Sequence, residues 1–123
     1  MAPKIIRELV NNELIILGTD DYAVCELSSL GMEKHKDYLL DHGIDYRYPL
    51  FFFNRIKATK ERRGNGTILM KRLVEICDEK GLAIINPINP YGRMNLEELK
   101  AWFGNYGFFE VTDTVIVRFP RGR

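Results

Sequence analysis

The segment ERRGNGTILMKRL joins a long apolar run to an amphipathic helix through two closely spaced glycines, Gly64 and Gly66. Before it, YPLFFFNRIKA has the composition of a buried central strand, and Pro49 fits such a strand only near its start. After it, apolar residues recur at helical spacing over 68–77, and Gly81 supplies a C-cap. A strand, a glycine loop and a helix in this order predict a mixed α/β domain.

The remaining apolar runs extend this pattern along the chain. ELIILG and YAVCELS form two strands around a TDD turn, and MEKHKDYLLDHG forms a short helix. LAIINP is a short buried strand, NLEELKAWF is a helix with Asn95 as its N-cap, and FFEVTDTVIVRF is a closing hairpin. The predicted order is β-β-α-β-α-β-α-β-β. We expect residues 1–123 to form one domain, with a mixed, mostly antiparallel sheet flanked by helices.

Composition limits the partners that the chain can bind. The formal net charge is +1, so binding to nucleic acid would need a local basic patch. One such cluster surrounds the glycines: Lys57, Lys60, Arg62, Arg63, Lys71 and Arg72. No apolar run reaches the length that spans a bilayer, and the N-terminus lacks the pattern of a signal peptide. We therefore expect a soluble, cytoplasmic protein without a membrane partner.

The two cysteines do not indicate a metal or redox site. Cys25 and Cys77 are far apart in the sequence and have no CxxC spacing. Cys77 falls on the apolar face of the predicted helix, which favours a reduced core residue. No metal ligand set is predicted.

The glycine loop has two interpretations from its residues alone. Glycines at a helix start let an anion approach the free amides of the first turn, and Arg62 and Arg63 would add positive charge there. The loop is equally compatible with a simple strand-to-helix turn. The Walker loop is excluded because Gly66 is followed directly by Thr67, and the dinucleotide fingerprint is excluded because Leu69 occupies its third glycine position.

A third phosphate-binding pattern does fit. The segment RIKATKERRGNGTILMKRLVEICDEKG resembles the acetyl-coenzyme A loop of the GCN5-related N-acetyltransferases (GNATs), in which Q/R-x-x-G-x-G/A follows a strand and opens a helix. Glu61 departs from this pattern, since the family usually has Gln or Arg there. FGNYGF resembles the end of the family's last helix, which leads into a hairpin. The resemblance covers residues 50–119, and the region before the central strand is short for the family.

The resemblance implies a GNAT-like fold with a reduced N-terminal region, acetyl-coenzyme A as co-substrate, and an amine acceptor, either a small molecule or a protein lysine. Backbone groups of Asn54 and Ile56 would pair with the pantetheine arm. The pyrophosphate loop would comprise Arg62, Arg63, Gly64, Asn65, Gly66 and Thr67. Plain sheet pairing is the alternative for the two strand residues.

The resemblance defines the catalytic residues less clearly than the residues that would bind coenzyme A. The family often protonates the leaving thiolate with a tyrosine, and Phe103 stands at that position here. Tyr106 and Tyr91 are the alternative proton donors, with Tyr106 taken as the candidate. Glu26 is the candidate base. The other groups considered for that role are Asp45, His35 and His42.

Two other functions follow from the same residues. Phe103 and Glu61 motivate a module that binds coenzyme A or a partner protein without catalysis. The basic loop together with Phe51, Phe52 and Phe53 motivates a nucleic-acid binder, which ranks last because three consecutive strand aromatics cannot share one face. The sequence leaves the acceptor and the oligomeric state open, including a homodimer.

Overall fold

A computed structural model describes residues 2–29, 32–44, 47–58, 64–89 and 94–121, without the side chains of 32–34. Strands and helices alternate along these ranges. The elements are β1 (Ile5–Val10), β2 (Leu14–Thr19), β3 (Val24–Ser28), α1 (Met32–Asp41), β4 (Leu50–Lys57), α2 (Asn65–Lys80), β5 (Ala83–Pro87), α3 (Leu96–Gly104), β6 (Phe109–Thr112) and β7 (Val115–Arg118).

The strands form one sheet in the order β1-β2-β3-β4-β5-β7-β6. The β4–β5 pair is parallel, because α2 carries the chain back across the sheet between the two strands. The other five neighbouring pairs are antiparallel. This arrangement confirms the predicted α/β class and the mostly antiparallel sheet.

Helices cover both faces of the sheet. α2 and α3 pack on one face over the larger core, which includes Leu73, Phe103 and the strand residues Phe51 and Phe53. α1 packs on the opposite face, where Leu39 joins a smaller cluster. None of the described helices combines the length and the apolarity that crossing a bilayer requires.

The prediction missed β1. Its residues IIRELV do not alternate cleanly between polar and apolar, and four consecutive positions, Ile6–Leu9, are exposed. β1 pairs only with β2 and lies at the edge of the sheet, so little of it enters the core. A strand held chiefly by backbone pairing carries a weak sequence signal.

The ends of α2 and α3 agree with the predicted caps. Gly81 adopts the left-handed conformation at φ 67° and its N–H donates to the carbonyl of Cys77. Asn95 and Glu98 form a reciprocal capping box at the start of α3. These caps fix where the two helices begin and end beside the sheet.

An ion pair between the buried Arg118 and the partly exposed Asp78 joins α2 to β7 and to the turn after α3. Arg118 is 2 % exposed, and its guanidinium donates two hydrogen bonds to the Asp78 carboxylate, at 2.8 and 3.1 Å. The same guanidinium donates to the carbonyl of Tyr106 at 2.6 Å, and the N–H of Arg121 donates to Asp78 at 2.9 Å. One cluster therefore ties together α2, β7 and the turn after α3.

This ion pair predicts a loss of stability in acid. Burial raises the pKa of the Asp78 carboxyl, but the hydrogen bonds from Arg118 and Arg121 outweigh it and leave the pKa below its usual value. A pKa that is lower in the folded state stabilises the fold above the unfolded pKa of about 4, and this contribution disappears as the pH falls through the folded pKa. We expect the urea concentration at the unfolding midpoint to decrease as the pH is lowered below 4. In an Asp78→Asn variant, the free energy of unfolding should decrease less steeply with pH in this range. An equally steep decrease in that variant would show that Asp78 is not its source.

Candidate functional site

A cleft of about 200 Å³ opens where β4 and β5 separate. The two strands pair only through Leu50–Phe52 and Ala83–Ile85. Beyond these residues both strands continue, and the gap between them is walled by α3. The described residues that line the cleft are Phe53, Asn54, Arg55, Ile56, Asn86, Pro87, Ile88, Asn89, Leu99, Trp102 and Phe103.

A β-bulge in β4 accompanies the separation of the strands. Leu27 of β3 lies opposite Phe53 and the preceding Glu26 lies opposite Arg55, so Asn54 is an extra residue on β4. A bulge bends its strand and increases the local twist. Beyond the Phe52–Ile85 pair, no described residue of β5 pairs with β4, so the edge of β4 that faces β5 has no strand partner among the described residues from Asn54 onward. An extended ligand with amide groups fits such an edge.

The first turn of α2 provides amide donors near this cleft. The first intrahelical bond runs from the N–H of Ile68 to the carbonyl of Gly64, at 3.1 Å. The N–H groups of Asn65, Gly66 and Thr67 therefore have no partner inside the helix. No side chain of the described residues caps this end, and the first turn contains no acidic residue. The positive end of the helix dipole is thus available to an anion.

Gly64 and Gly66 serve different local purposes. Gly64 adopts φ 83°, a left-handed conformation that glycine accepts without strain. A Cβ on Gly66 would lie 3.3 Å from Cζ2 of Trp102. Gly66 therefore permits close approach of α3, and Trp102 links the start of α2 to the wall of the cleft. Both interpretations of the loop in the sequence are thus compatible with the structure.

The conformation of Gly64 predicts a measurable effect. Gly64→Ala should lower the free energy of unfolding by about 1–2 kcal/mol, because a left-handed backbone conformation strains alanine by about that amount. Gly104→Ala is the matched control, since its φ is not in that region and its Cβ would meet nothing within 4 Å. Equal urea midpoints for the two variants would show that the α2 cap does not require glycine.

Asn65 contributes its backbone to the loop, whereas its side chain belongs to a buried network. The side-chain oxygen accepts from Thr19 Oγ1 at 2.7 Å, and Nδ2 donates to Asp21 at 2.9 Å. These bonds tie the start of α2 to the β2–β3 hairpin. Thr67 is exposed on the same first turn. Arg62 and Arg63 lie outside the described residues.

The strand residues assigned to the pantetheine arm both lie on the cleft. Asn54 is exposed at the bulge, and Ile56 is partly buried against the core. Ile56 pairs with Cys25 of β3, so its backbone is engaged on that side of β4.

The structure does not bring the two catalytic candidates into the cleft. Tyr106 is absent from the lining residues and packs against Trp102, with ring centroids 5.4 Å apart. Glu26 lies on the opposite face of the sheet from its neighbour Leu27, which is in the core under α2 and α3. Its carboxylate accepts a hydrogen bond at 2.7 Å from Arg55, which does line the cleft. Their catalytic roles stay predictions.

Other candidate groups lie elsewhere or outside the described chain. The ring of His35 lies against Phe52 with centroids 4.9 Å apart, and His42 stacks on Tyr38 at 4.2 Å. Both histidines belong to the region around α1. Asp45 and Tyr91 fall outside the described residues.

Phe103, which stands at the family's tyrosine position, is a core residue. It is 4 % exposed and makes edge-to-face contacts with Phe53 and Phe108, with centroids 5.5 and 5.2 Å apart. Its ring also forms part of the cleft wall. Cys77 is likewise buried, and burial raises its thiol pKa to about 12, as expected for a reduced core cysteine.

Sequence reasoning missed Asn86, a buried polar residue that lines the cleft next to the last β4–β5 pair. Asn86 follows Ile85, the last β5 residue paired with β4, and is 5 % exposed. Its signal in the sequence is a single amide inside the apolar run LAIINP. From the sequence alone, such an amide indicates only the end of a strand, because the position of β4 beside it is not known.

A second depression, of about 590 Å³, lies at the other end of β4 between Val10, Pro49 and Lys80. It adjoins the C-terminal end of α2, where the helix dipole is negative. This end of the helix is less suited to an anion than the first turn. The β4–β5 cleft is therefore the candidate site.

No protein-family model, curated protein or solved structure matches this chain.

Proposed function

We propose that this protein is an N-acetyltransferase that moves an acetyl group from acetyl-coenzyme A to an amine. The observation that carries the proposal is the cleft between β4 and β5, with an unpaired strand edge on one side and the free amides of α2 close by. The resemblance of ERRGNG to the acetyl-coenzyme A loop adds to this geometry.

The parts of the site match the parts of the proposed ligand. The free amides of Asn65, Gly66 and Thr67 suit a pyrophosphate. The unpaired edge of β4 suits the amide-containing pantetheine arm, and the aromatic walls formed by Phe53 and Trp102 suit its apolar portions. The thioester would then lie at the end of the cleft where the two strands meet.

The experiment is an acetyl-transfer assay that follows release of the coenzyme A thiol against a panel of small amines and lysine peptides. Acetyl-coenzyme A should also raise the melting temperature, because it binds only the folded loop. Thiol release that depends on an amine supports transfer. Absence of both thiol release and a thermal shift at millimolar ligand would contradict the proposal.

Thr67 offers a sharper test of where the anion binds. Thr67→Asp places a carboxylate beside the free amides, which should stabilise the helix by about 0.3–1 kcal/mol while repelling a pyrophosphate. We expect acetyl-coenzyme A affinity to fall by about tenfold or more, which corresponds to about 1.4 kcal/mol. Thr67→Asn is the control, with nearly the same shape and no charge. Equal affinities in the two variants, measured by calorimetry, would place the pyrophosphate elsewhere.

A second candidate function is a coenzyme A-binding or protein-interaction module without catalysis. It is favoured by the buried Phe103 at the family's tyrosine position and by the absence of Glu26 and Tyr106 from the described cleft lining. The same assay separates the two functions, since such a module would bind the ligand without releasing thiol in the presence of any amine.

The structure does not favour a nucleic-acid binder that stacks bases on the phenylalanines of β4. Phe51 and Phe53 are 2 % and 5 % exposed, so neither ring is available for base stacking. Phe52 is partly buried on the opposite face, in the cluster with α1.

A further inference from the structure

Asn86 differs from the other buried polar side chains of the described chain. Thr19, Asn65 and Arg118 are each at most 4 % exposed and each forms hydrogen bonds with neighbouring protein groups. Asn86 is 5 % exposed, and its carboxamide forms no hydrogen bond with any described residue.

The carboxamide of Asn86 is directed to the cleft. Side chains alternate along β5, and Asn86 shares the face of Ile84, which is in the core under α2 and α3. Within the described chain, every fully buried side-chain nitrogen or oxygen has a partner. The amide atoms of Asn86 have no partner among the described residues, as expected for atoms that reach open space, and the open space beside them is the cleft that this residue lines.

The position of Asn86 identifies the part of a ligand that it would meet. It is the first β5 residue beyond the last pair, Phe52 and Ile85, and so lies at the end of the cleft where the two strands meet. A ligand anchored by its anion at α2 and extended along β4 would place its terminal group there. Around this point the walls are aromatic, with Phe53 and Phe103. An amide donor in apolar surroundings suits a carbonyl oxygen on which negative charge develops.

We infer that Asn86 donates a hydrogen bond from its carboxamide nitrogen to the carbonyl oxygen of the bound acyl thioester and stabilises the oxyanion formed during transfer. This inference rests on the proposed function. The amine nitrogen bonds to the carbonyl carbon, and the C=O π pair moves to the oxygen held by Asn86. That pair then re-forms the C=O bond as the C–S bond breaks. The sulfur takes the C–S electron pair, and the proton lost by the amine converts it to the thiol.

The test is Asn86→Leu, compared with Asn65→Leu as a matched loss of a buried amide. We expect Asn86→Leu to lower kcat for thiol release by about 10²–10³-fold, the usual effect of removing one oxyanion donor. Its affinity for acetyl-coenzyme A should change by less than about threefold and its melting temperature should be unchanged or higher, because no protein partner is lost. Asn65→Leu should instead lower the melting temperature, since Thr19 and Asp21 lose their partner.

Two results would overturn the assignment: an unchanged kcat, or a loss of stability equal to that of Asn65→Leu. NMR of the wild-type protein is a second measurement that needs no variant. The Asn86 side-chain NH₂ signals should shift with acetyl-coenzyme A and shift less with free coenzyme A, which has no acyl carbonyl. Equal shifts would contradict the inference. If the wild type binds no acetyl-coenzyme A at all, the proposed function fails, and the contrast in stability between the two asparagine variants is still measured.

Discussion

Asp78→Ala should lower the free energy of unfolding by up to about 3–5 kcal/mol, the range for removing one partner of a buried ion pair, because Arg118 is buried although Asp78 is 24 % exposed. The substitution leaves the Arg118 guanidinium, which is 2 % exposed, without the carboxylate that accepts two of its hydrogen bonds. It also removes the acceptor of the Arg121 N–H. The measurement is urea unfolding at pH 7.

Glu75→Ala in the same helix is the control. Its side chain is 61 % exposed, and its carboxylate lies 3.7 Å from the guanidinium of Arg72. Exposed pairs of this kind contribute about 0–1 kcal/mol. If the two variants lose similar stability, the ion pair at Asp78 does not hold α2 to β7 and to the turn after α3 as the geometry indicates.

Phe103→Ala should be similarly costly, at about 3–5 kcal/mol, because it removes a buried ring that contacts Phe53, Trp102 and Phe108. The cavity would open into the cleft, so acetyl-coenzyme A affinity should fall as well. Both effects are read from thermal unfolding with and without ligand.

Phe103→Tyr is the matched variant that keeps the ring. We expect a smaller loss of about 1–3 kcal/mol, because the new hydroxyl enters an apolar cluster. Turnover should not rise, since the ring is packed into the core and held on several sides. A gain in turnover with unchanged stability would show instead that this position faces the thioester, as the family's tyrosine does.

The helices and inner strands were predictable because each has a local physical cause. The alternating strand residues Val115, Val117 and Phe119 do lie together in one cluster. The caps Gly81 and Asn95 also lie where the sequence placed them. β1 was not predictable in the same way, since an exposed edge strand is stabilised by pairing with β2, and that pairing has no local pattern.

The candidate site was only partly predictable for a related reason. Gly64 and Gly66 could be recognised as special positions, but the contact between Gly66 and Trp102 joins residues of two helices and appears only in three dimensions. The bulge at Asn54 depends on the register with β3. The importance of Asn86 depends on where β4 and β5 stop pairing. Each of these is a property of neighbouring elements, so no single segment carries it.

The most direct test of the acetyl-coenzyme A site is an NMR titration of ¹⁵N-labelled protein with acetyl-coenzyme A. If acetyl-coenzyme A binds in the β4–β5 cleft, the largest shifts should fall on the backbone amides of Gly66 and Thr67, on β4 residues 54–56, and on the indole N–H of Trp102. Shifts at these groups with a saturable dependence on ligand would place the co-substrate between β4, β5 and α2. No shift at millimolar ligand, or shifts confined to the depression near Val10 and Lys80, would contradict the account.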